Sequence, residues 1–282
     1  MSRVKSKNLF KFQLTGVYDD DVAAADEELA KQLQSGGEEE ASAMARLIKA
    51  MNNDDPESNQ EYVTLLRDIM ESHMKPLFSH PILEKSAYEV IEKEIKISTN
   101  HDGDFGVPVF VYTPKKFLGD GKKHAAYIYA HGGGCVGLNA RLYKNLLCHY
   151  SVECDVVVFD YPFSDTASMT KEEKENNPGM RKIWKLVAAD FEAQKNDPLL
   201  FPGKSSDDVL EKFPPTIIEE AEFDMFITEA TRLAYRLRRA GRLLELIVIP
   251  GGKHGSSMDP RFKNFKIGVE VKKLTFQHYV HN

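Results

Sequence analysis

The stretch AYIYAHGGG, residues 126–134, decides the fold of this chain. Its first five residues are small, aromatic or branched and uncharged, which predicts a short buried strand. His131, Gly132, Gly133 and Gly134 follow the strand directly. Three glycines let the backbone turn sharply, approach a ligand and direct amide hydrogens together at an oxyanion, whereas the competing interpretation is a plain turn.

Farther along the chain, two more predicted strands end in residues that carry acid–base chemistry. Residues 216–218 and 243–249 are strand-like, and a helical pattern lies between them. Asp224 follows the first strand and His254 the second, so a parallel sheet would bring both to adjacent loops at one edge. An aspartate there can hold the Nδ1–H of a histidine. Taken singly, Asp224 could instead cap the following helix, and His254 could be an ordinary loop histidine.

Strands and helices alternate over most of the chain. Hydrophobic periodicity predicts helices over 19–34, 38–51, 58–74, 225–240 and 262–280, and strands over 88–98, 107–113, 125–130 and 156–159. Ser58 and Glu61 have the spacing of a capping box, and Gly241 is expected to end its helix. The pattern predicts an α/β protein with a mainly parallel sheet. Residues 1–85 are predicted to be helical, and the alternating strands lie in residues 86–282.

Composition excludes several classes of function. The chain has 282 residues, with 37 Lys and Arg against 43 Asp and Glu and a net charge of −6, so a general affinity for nucleic acid or anionic membrane is not expected. No stretch reaches the ~18–20 apolar residues of a membrane span. Cys135, Cys148 and Cys154 include no C-x-x-C pair, which predicts buried thiols in the reducing cytoplasm and no metal site.

Taken together, these motifs resemble the α/β-hydrolase-fold-3 family, the hormone-sensitive-lipase-like and arylacetamide deacetylase-like carboxylesterases. The pieces that carry the resemblance follow one another in the family's order over roughly residues 85–270. They are HGGG (131–134), VVVFDY (156–161), NDPL (196–199), PPTIIEEAEFD (214–224) and the stretch from RLRRAG to IPGGKHG that ends at residue 255.

The resemblance implies hydrolysis of carboxylic esters by a Ser-Asp-His triad, with no cofactor. It also implies that residues 1–85 form a helical cap segment and residues 86–282 a truncated α/β-hydrolase core. Asp224 would orient the base His254, and the amides of Gly132, Gly133 and Gly134 would form the oxyanion hole. His131 and Cys135 would contact the substrate, a small acyl ester, or an apolar ligand. Cys135 stands where the family usually has an aromatic residue. Its thiol could act as a nucleophile. The simpler interpretation is that Cys135 is a small residue that fills an apolar gap. A homo-oligomer is also possible.

One expected part of the family pattern is missing from the sequence. The nucleophile of these hydrolases lies on a G-x-S-x-G turn between a strand and a helix, and no G-x-S-x-G occurs in the chain. Tyr161 passes straight to Pro162, as if two strand ends had been joined and ~60 residues or more, two βαβ units, omitted. Ser164 has no flanking glycines, and Ser256 and Ser257 are too close to His254 to lie across a site from it.

The missing segment leaves three functional hypotheses open: a catalytically impaired esterase, a ligand-binding pseudoenzyme, and a truncated form of an active esterase. It also affects the strand at 126–130, whose inner neighbour would be the missing strand. We expect the strand at 216–218 to close the gap by pairing with it, and the alternative is an open gap filled by loop residues.

Overall fold

The computed structural model describes residues 16–17, 19–35, 38–98, 106–133, 137–161, 182–183, 185–186, 190–194 and 202–280. The chain divides into two compact units, which are described separately. The first comprises residues 1–62 and 166–257, and the second comprises residues 63–165 and 258–282. The predicted division into a cap and a core at residue 85 stays a prediction.

The second unit contains a four-stranded mixed sheet. Its strands are β1 (Val90–Ser98), β2 (Gly106–Pro114), β3 (Ala126–Ala130) and β4 (Val157–Tyr161), in the order β1-β2-β4-β3. The β1–β2 and β2–β4 pairs are antiparallel, and the β3–β4 pair is parallel. All four strands were predicted from the sequence, with bounds that agree to within two residues.

Helices cover the buried face of this sheet. The unit holds the end of α3 (Pro56–Phe78), then α4 (Pro81–Ala87), α5 (Lys144–Glu153) and α9 (Lys263–Tyr279). The core is built from fully buried tyrosines and leucines: Leu83, Tyr112, Tyr143, Leu146, Leu147 and Tyr150. Burial of each of these leucine side chains contributes about 1.5–3 kcal/mol to folding, so the cluster stabilises the unit.

The first unit contains a two-stranded parallel sheet of β5 (Thr216–Phe223) and β6 (Leu243–Lys253). Its helices are α1 (Asp20–Ser35), α2 (Glu38–Met51), the start of α3, α6 (Phe191–Gln194), α7 (Asp207–Leu210) and α8 (Ile227–Arg239). As predicted, Gly241 ends α8 in the left-handed conformation, with φ +69°. Arg242 N–H donates to the Leu237 carbonyl at 2.8 Å, which is the closing bond of a Schellman motif.

The predicted start of α3 is wrong by two residues. The helix begins at Pro56, and the carboxylate of Asp55 accepts hydrogen bonds from both the backbone N–H (2.9 Å) and the hydroxyl (2.6 Å) of Ser58. Asp55 is therefore the capping residue, and Ser58 already lies in the first turn. Aspartate followed by proline is a strong start signal, since proline suits the first helical position and its missing N–H is not needed there.

The expected closure of the sheet around β3 is also wrong. Within the described residues β3 pairs with β4 alone, and β5, the strand that begins at Thr216, pairs with β6. Pairing with β6 uses only one edge of β5, so the need of β3 for a second neighbour did not decide which strand lies beside it. Ile128, at the centre of β3, is 74% exposed. The prediction that this strand is buried is therefore wrong for the face that carries Ala126, Ile128 and Ala130, all of which are exposed.

None of the helices in the described part of the chain is long and apolar enough to cross a bilayer. Nor do those residues contain a group of three or more His, Cys, Asp or Glu side chains that could hold a metal ion.

A buried histidine makes the stability of the second unit dependent on pH. His149 on α5 is buried, its Nδ1 lies 2.9 Å from the Ser86 hydroxyl on α4, and its ring stacks on Phe265. Burial lowers the pKa of His149 below its usual value, and the nearby Glu153 only partly offsets this. The unfolded chain therefore binds a proton more readily than the folded one, so the free energy of unfolding should fall as the pH drops below about 6.5.

We expect His149→Gln to flatten this loss of stability between pH 7 and pH 5, since glutamine does not titrate. The measurement is the melting temperature of wild type and variant across that range. His73→Gln, on an exposed part of α3, is the control and should keep the wild-type pH dependence. Equal slopes for wild type and His149→Gln would show that His149 does not titrate as its burial requires.

Candidate active site

Asp224 occupies the turn between β5 and α8. Its backbone carbonyl accepts from Ile227 N–H at 3.2 Å, and its Oδ1 accepts from Phe226 N–H at 2.8 Å, so the side chain fixes the turn into the helix. The side chain is only 15% exposed. The N-cap residue of α8 is Phe226, and no side chain caps it, so the helix-capping interpretation of Asp224 is wrong: its Oδ1 holds the turn that precedes the helix.

The other oxygen of that carboxylate binds His254, which directly follows β6. Nδ1 of His254 lies 2.9 Å from Asp224 Oδ2 and 3.2 Å from Oδ1. A carboxylate can only accept, so Nδ1 carries the hydrogen in this pair and Nε2 is the ring nitrogen left for chemistry. The ring of Phe226 meets the imidazole edge-on, with centroids 5.3 Å apart. The predicted hydrogen bond between Asp224 and His254 is thus confirmed.

The environment of His254 suits a general base. Its side chain is 57% exposed, so the imidazole is accessible from solvent. The hydrogen bond to Asp224 raises the pKa of His254 above its usual value, together with the charge of that carboxylate and against the effect of burial. An aspartate that holds Nδ1–H in this way orients the ring and stabilises the imidazolium that forms when Nε2 takes a proton.

A bulge in β6 brings the two residues together. Ala221 lies opposite Ile249, but Phe223 lies opposite Lys253, so β6 advances four residues while β5 advances two. A regular ladder would place Asp224 opposite Gly252, two residues or about 7 Å short of His254. Gly251 lies inside the bulge with φ +69°, a conformation that glycine adopts without strain. The pair Gly251-Gly252 therefore determines that His254 is the residue that lies opposite Asp224.

The glycine loop after β3 belongs to the second unit. Gly133 has φ +140°, and a Cβ there would lie 2.0 Å from the carbonyl oxygen of Gly137, so only glycine fits. Gly137 N–H donates to the Gly133 carbonyl at 2.8 Å and closes the loop. His131 stacks on Tyr143 and donates from Nδ1 to the Gly132 carbonyl at 2.9 Å. The backbone at Gly133, three residues after the end of β3, thus has a conformation and a close contact that require glycine.

Other predicted site residues have different outcomes. Gly134, Cys135 and Ser164 lie outside the described residues. Cys148 and Cys154 are buried free thiols, as predicted, and burial raises the pKa of each to about 12, so neither is a thiolate nucleophile at neutral pH.

One residue of the site was missed from the sequence. Glu222, two positions before Asp224, binds the backbone of the β6 bulge. An alternating acidic residue near a strand end is typical of a solvated face, so no sequence signal marked it.

Comparisons with known proteins identify the fold. Residues 158–258 match the model of a family described as having the alpha/beta hydrolase fold. An esterase from Pseudomonas putida has a similar structure, with a TM-score of 0.64 at 13% identity over 93% of this chain and 96% of that one. An esterase from the archaeon Pyrobaculum calidifontis gives a TM-score of 0.57 at 16% identity, over 75% of this chain and 91% of that one.

A third similar structure is carboxyl esterase 2 from the fungus Tuber melanosporum, with a TM-score of 0.54 at 17% identity over 67% of this chain and 87% of that one. A search of curated proteins found no match. The chain therefore has an α/β-hydrolase fold with helices and a mixed sheet, and the resemblance seen in its sequence is confirmed.

Proposed function

We propose that this chain is an esterase-type α/β hydrolase in which Asp224 and His254 form the acid–base pair for hydrolysis of small acyl esters. The observation that carries the proposal is the 2.9 Å hydrogen bond between the two residues at the ends of adjacent parallel strands. A half-buried carboxylate that orients a solvent-accessible imidazole is the arrangement that hydrolases use to remove a proton from an attacking oxygen.

In this proposal each residue has one chemical role. Asp224 holds His254 by Nδ1–H, and Nε2 of His254 takes a proton from the attacking oxygen and returns it to the leaving group. The amides of Gly132, Gly133 and Gly134 stabilise the oxyanion that develops on the ester carbonyl. His131 and Cys135 contact the substrate. The reaction needs no metal or organic cofactor.

The rate is expected to be low because no G-x-S-x-G serine is present in the sequence. Loss of a triad serine lowers kcat by about 10⁶, and the remaining groups leave about 10³–10⁴ over water. Water activated by His254 then replaces the serine as the attacking group. No acyl-enzyme forms by this route.

The same missing motif favours a second candidate, a pseudoenzyme that binds a small apolar ligand without turnover. Under this candidate, a saturable rise in melting temperature with an ester analogue would occur without any hydrolysis.

The abrupt Tyr161-Pro162 junction supports the related proposal that the chain is a truncated form of an active esterase. A cytoplasmic location belongs to the same proposal, and the free thiols of Cys148 and Cys154 support it.

The experiment is hydrolysis of a p-nitrophenyl ester by the purified chain, followed from the first turnover. We expect a slow linear release of nitrophenol that exceeds buffer, with no initial burst and no covalent labelling by a fluorophosphonate. A burst or a labelled serine would contradict the water mechanism. Labelling by iodoacetamide with parallel loss of activity, both abolished in Cys135→Ala, would identify a thiol nucleophile instead.

A further inference from the structure

Within the β6 bulge, both backbone hydrogen-bonding groups of Gly251 have partners outside the β5–β6 ladder. Gly251 N–H donates to Oε2 of Glu222 at 2.8 Å, and the Gly251 carbonyl accepts from Asp19 N–H at 2.9 Å. A bulge removes such groups from the ladder, so something else must satisfy them. Here a side chain of β5 and the backbone at the start of α1 do so.

The residues around the start of α1 make further contacts with the same loop. Oε1 of Glu222 accepts from Gly16 N–H at 2.7 Å, so one carboxylate joins residue 16 to the bulge. The space beside Gly251 is filled by the Asp19 carboxylate, which would lie 2.4 Å from a Cβ at that position. Lys253, adjacent to His254, forms an ion pair with Asp26 on α1.

These contacts converge on the element that sets the register of the acid–base pair. The bulge decides whether His254 or Gly252 lies opposite Asp224. Glu222 and Asp19 bind the backbone of the bulge at Gly251. Asp26 binds Lys253, the last residue of β6. Release of these contacts would let β6 return toward a regular ladder, which moves His254 away from Asp224.

We propose that Glu222 and the segment of residues 16–17 and 19–26 position His254 against Asp224 by holding the β6 bulge. The proposal rests on the proposed function, since it assigns a role in preparing the general base. Glu222 and Asp26 are positioning residues: neither contacts the imidazole in any hydrogen bond of the described residues, and they act through Gly251 and Lys253.

The test is NMR titration of the His254 imidazole in the full chain, which reports the Asp224–His254 contact without requiring turnover. The variants are Glu222→Gln, which removes the charge that accepts two N–H groups, and Asp26→Asn, which removes the ion pair with Lys253. The matched control is Glu27→Gln on α1, which removes a charge next to Asp26. Within the described residues, Glu27 forms its ion pair with Lys31 on the same helix.

We expect the pKa of His254 to be above 6.5 in wild type and in the control Glu27→Gln. In Glu222→Gln this pKa should fall toward 6.5. In Asp26→Asn it should fall by a smaller amount. The Asp26 side chain is half-exposed, so Asp26→Asn keeps the fold even if Glu222→Gln does not. An Asp26→Asn variant with the same His254 pKa as Glu27→Gln, or a folded Glu222→Gln with the wild-type pKa, would overturn the proposal. A fall in pKa with no ester hydrolysis in any variant would support the positioning role and contradict the proposed function alone.

Discussion

Replacement of Gly133 by alanine is expected to lower the free energy of unfolding of the second unit by about 2–6 kcal/mol. The backbone φ of +140° is closed to L side chains, and strain of this kind costs about 1–3 kcal/mol. The new Cβ would also lie 2.0 Å from a backbone oxygen and 2.8 Å from the carbonyl carbon of Gly137. Backbone atoms cannot rotate away, so the loop must open and lose the Gly137–Gly133 hydrogen bond, at about 1–3 kcal/mol more for overpacking.

Gly132→Ala is the matched control, because it adds the same methyl group one position earlier. A Cβ at Gly132 has the Tyr143 hydroxyl as its nearest neighbour, at 3.3 Å, and that hydroxyl is the end of a side chain that can shift. We expect Gly132→Ala to cost about 1 kcal/mol or less. The measurement is thermal unfolding of both variants, in which a loss of 3 kcal/mol lowers the melting temperature by roughly 10 °C. Equal melting temperatures would contradict the geometry of the glycine loop.

His254→Asn is expected to lower the protein-dependent rate of ester hydrolysis by about 10²-fold or more. Asparagine at position 254 can still donate a hydrogen bond to Asp224, but it cannot take a proton from water. The neutral amide keeps the size and polarity of the site, so the fold should be retained. Asp224→Asn should reduce the rate less, since the imidazole remains but its orientation and its elevated pKa are lost.

The elements that hold the pair were predictable because their signals are local. Apolar runs and helical periodicity predicted β5, β6 and α8, and the carboxyl ends of two parallel strands predicted that Asp224 and His254 would meet. The bulge in β6 was not predictable, because Gly-Gly before His254 has the same composition as an ordinary turn. The role of Glu222 depends on that bulge, so it was hidden as well.

Long-range strand pairing was the least predictable feature. Pairing of β5 with β3 was expected from the need to satisfy the backbone of β3, but β5 instead pairs along its length with β6. The sequence shows that an edge needs a partner without showing which strand supplies it. The error at the start of α3 was smaller and local. The sequence offers two start signals, Asp55-Pro56 and the capping box at Ser58, and only one of them can begin the helix. The helix begins at the first, and Asp55 accepts the Ser58 N–H.

The most direct test of the acid–base pair is the pH–rate profile of p-nitrophenyl acetate hydrolysis by wild type, with the profile of His254→Asn subtracted. The remaining rate is expected to rise with pH as His254 loses its proton and to level off, with a midpoint above 6.5 because Asp224 raises the pKa of the imidazole. In Asp224→Asn the midpoint should move down toward 6.5. A wild-type profile that matches that of His254→Asn at every pH would contradict the account.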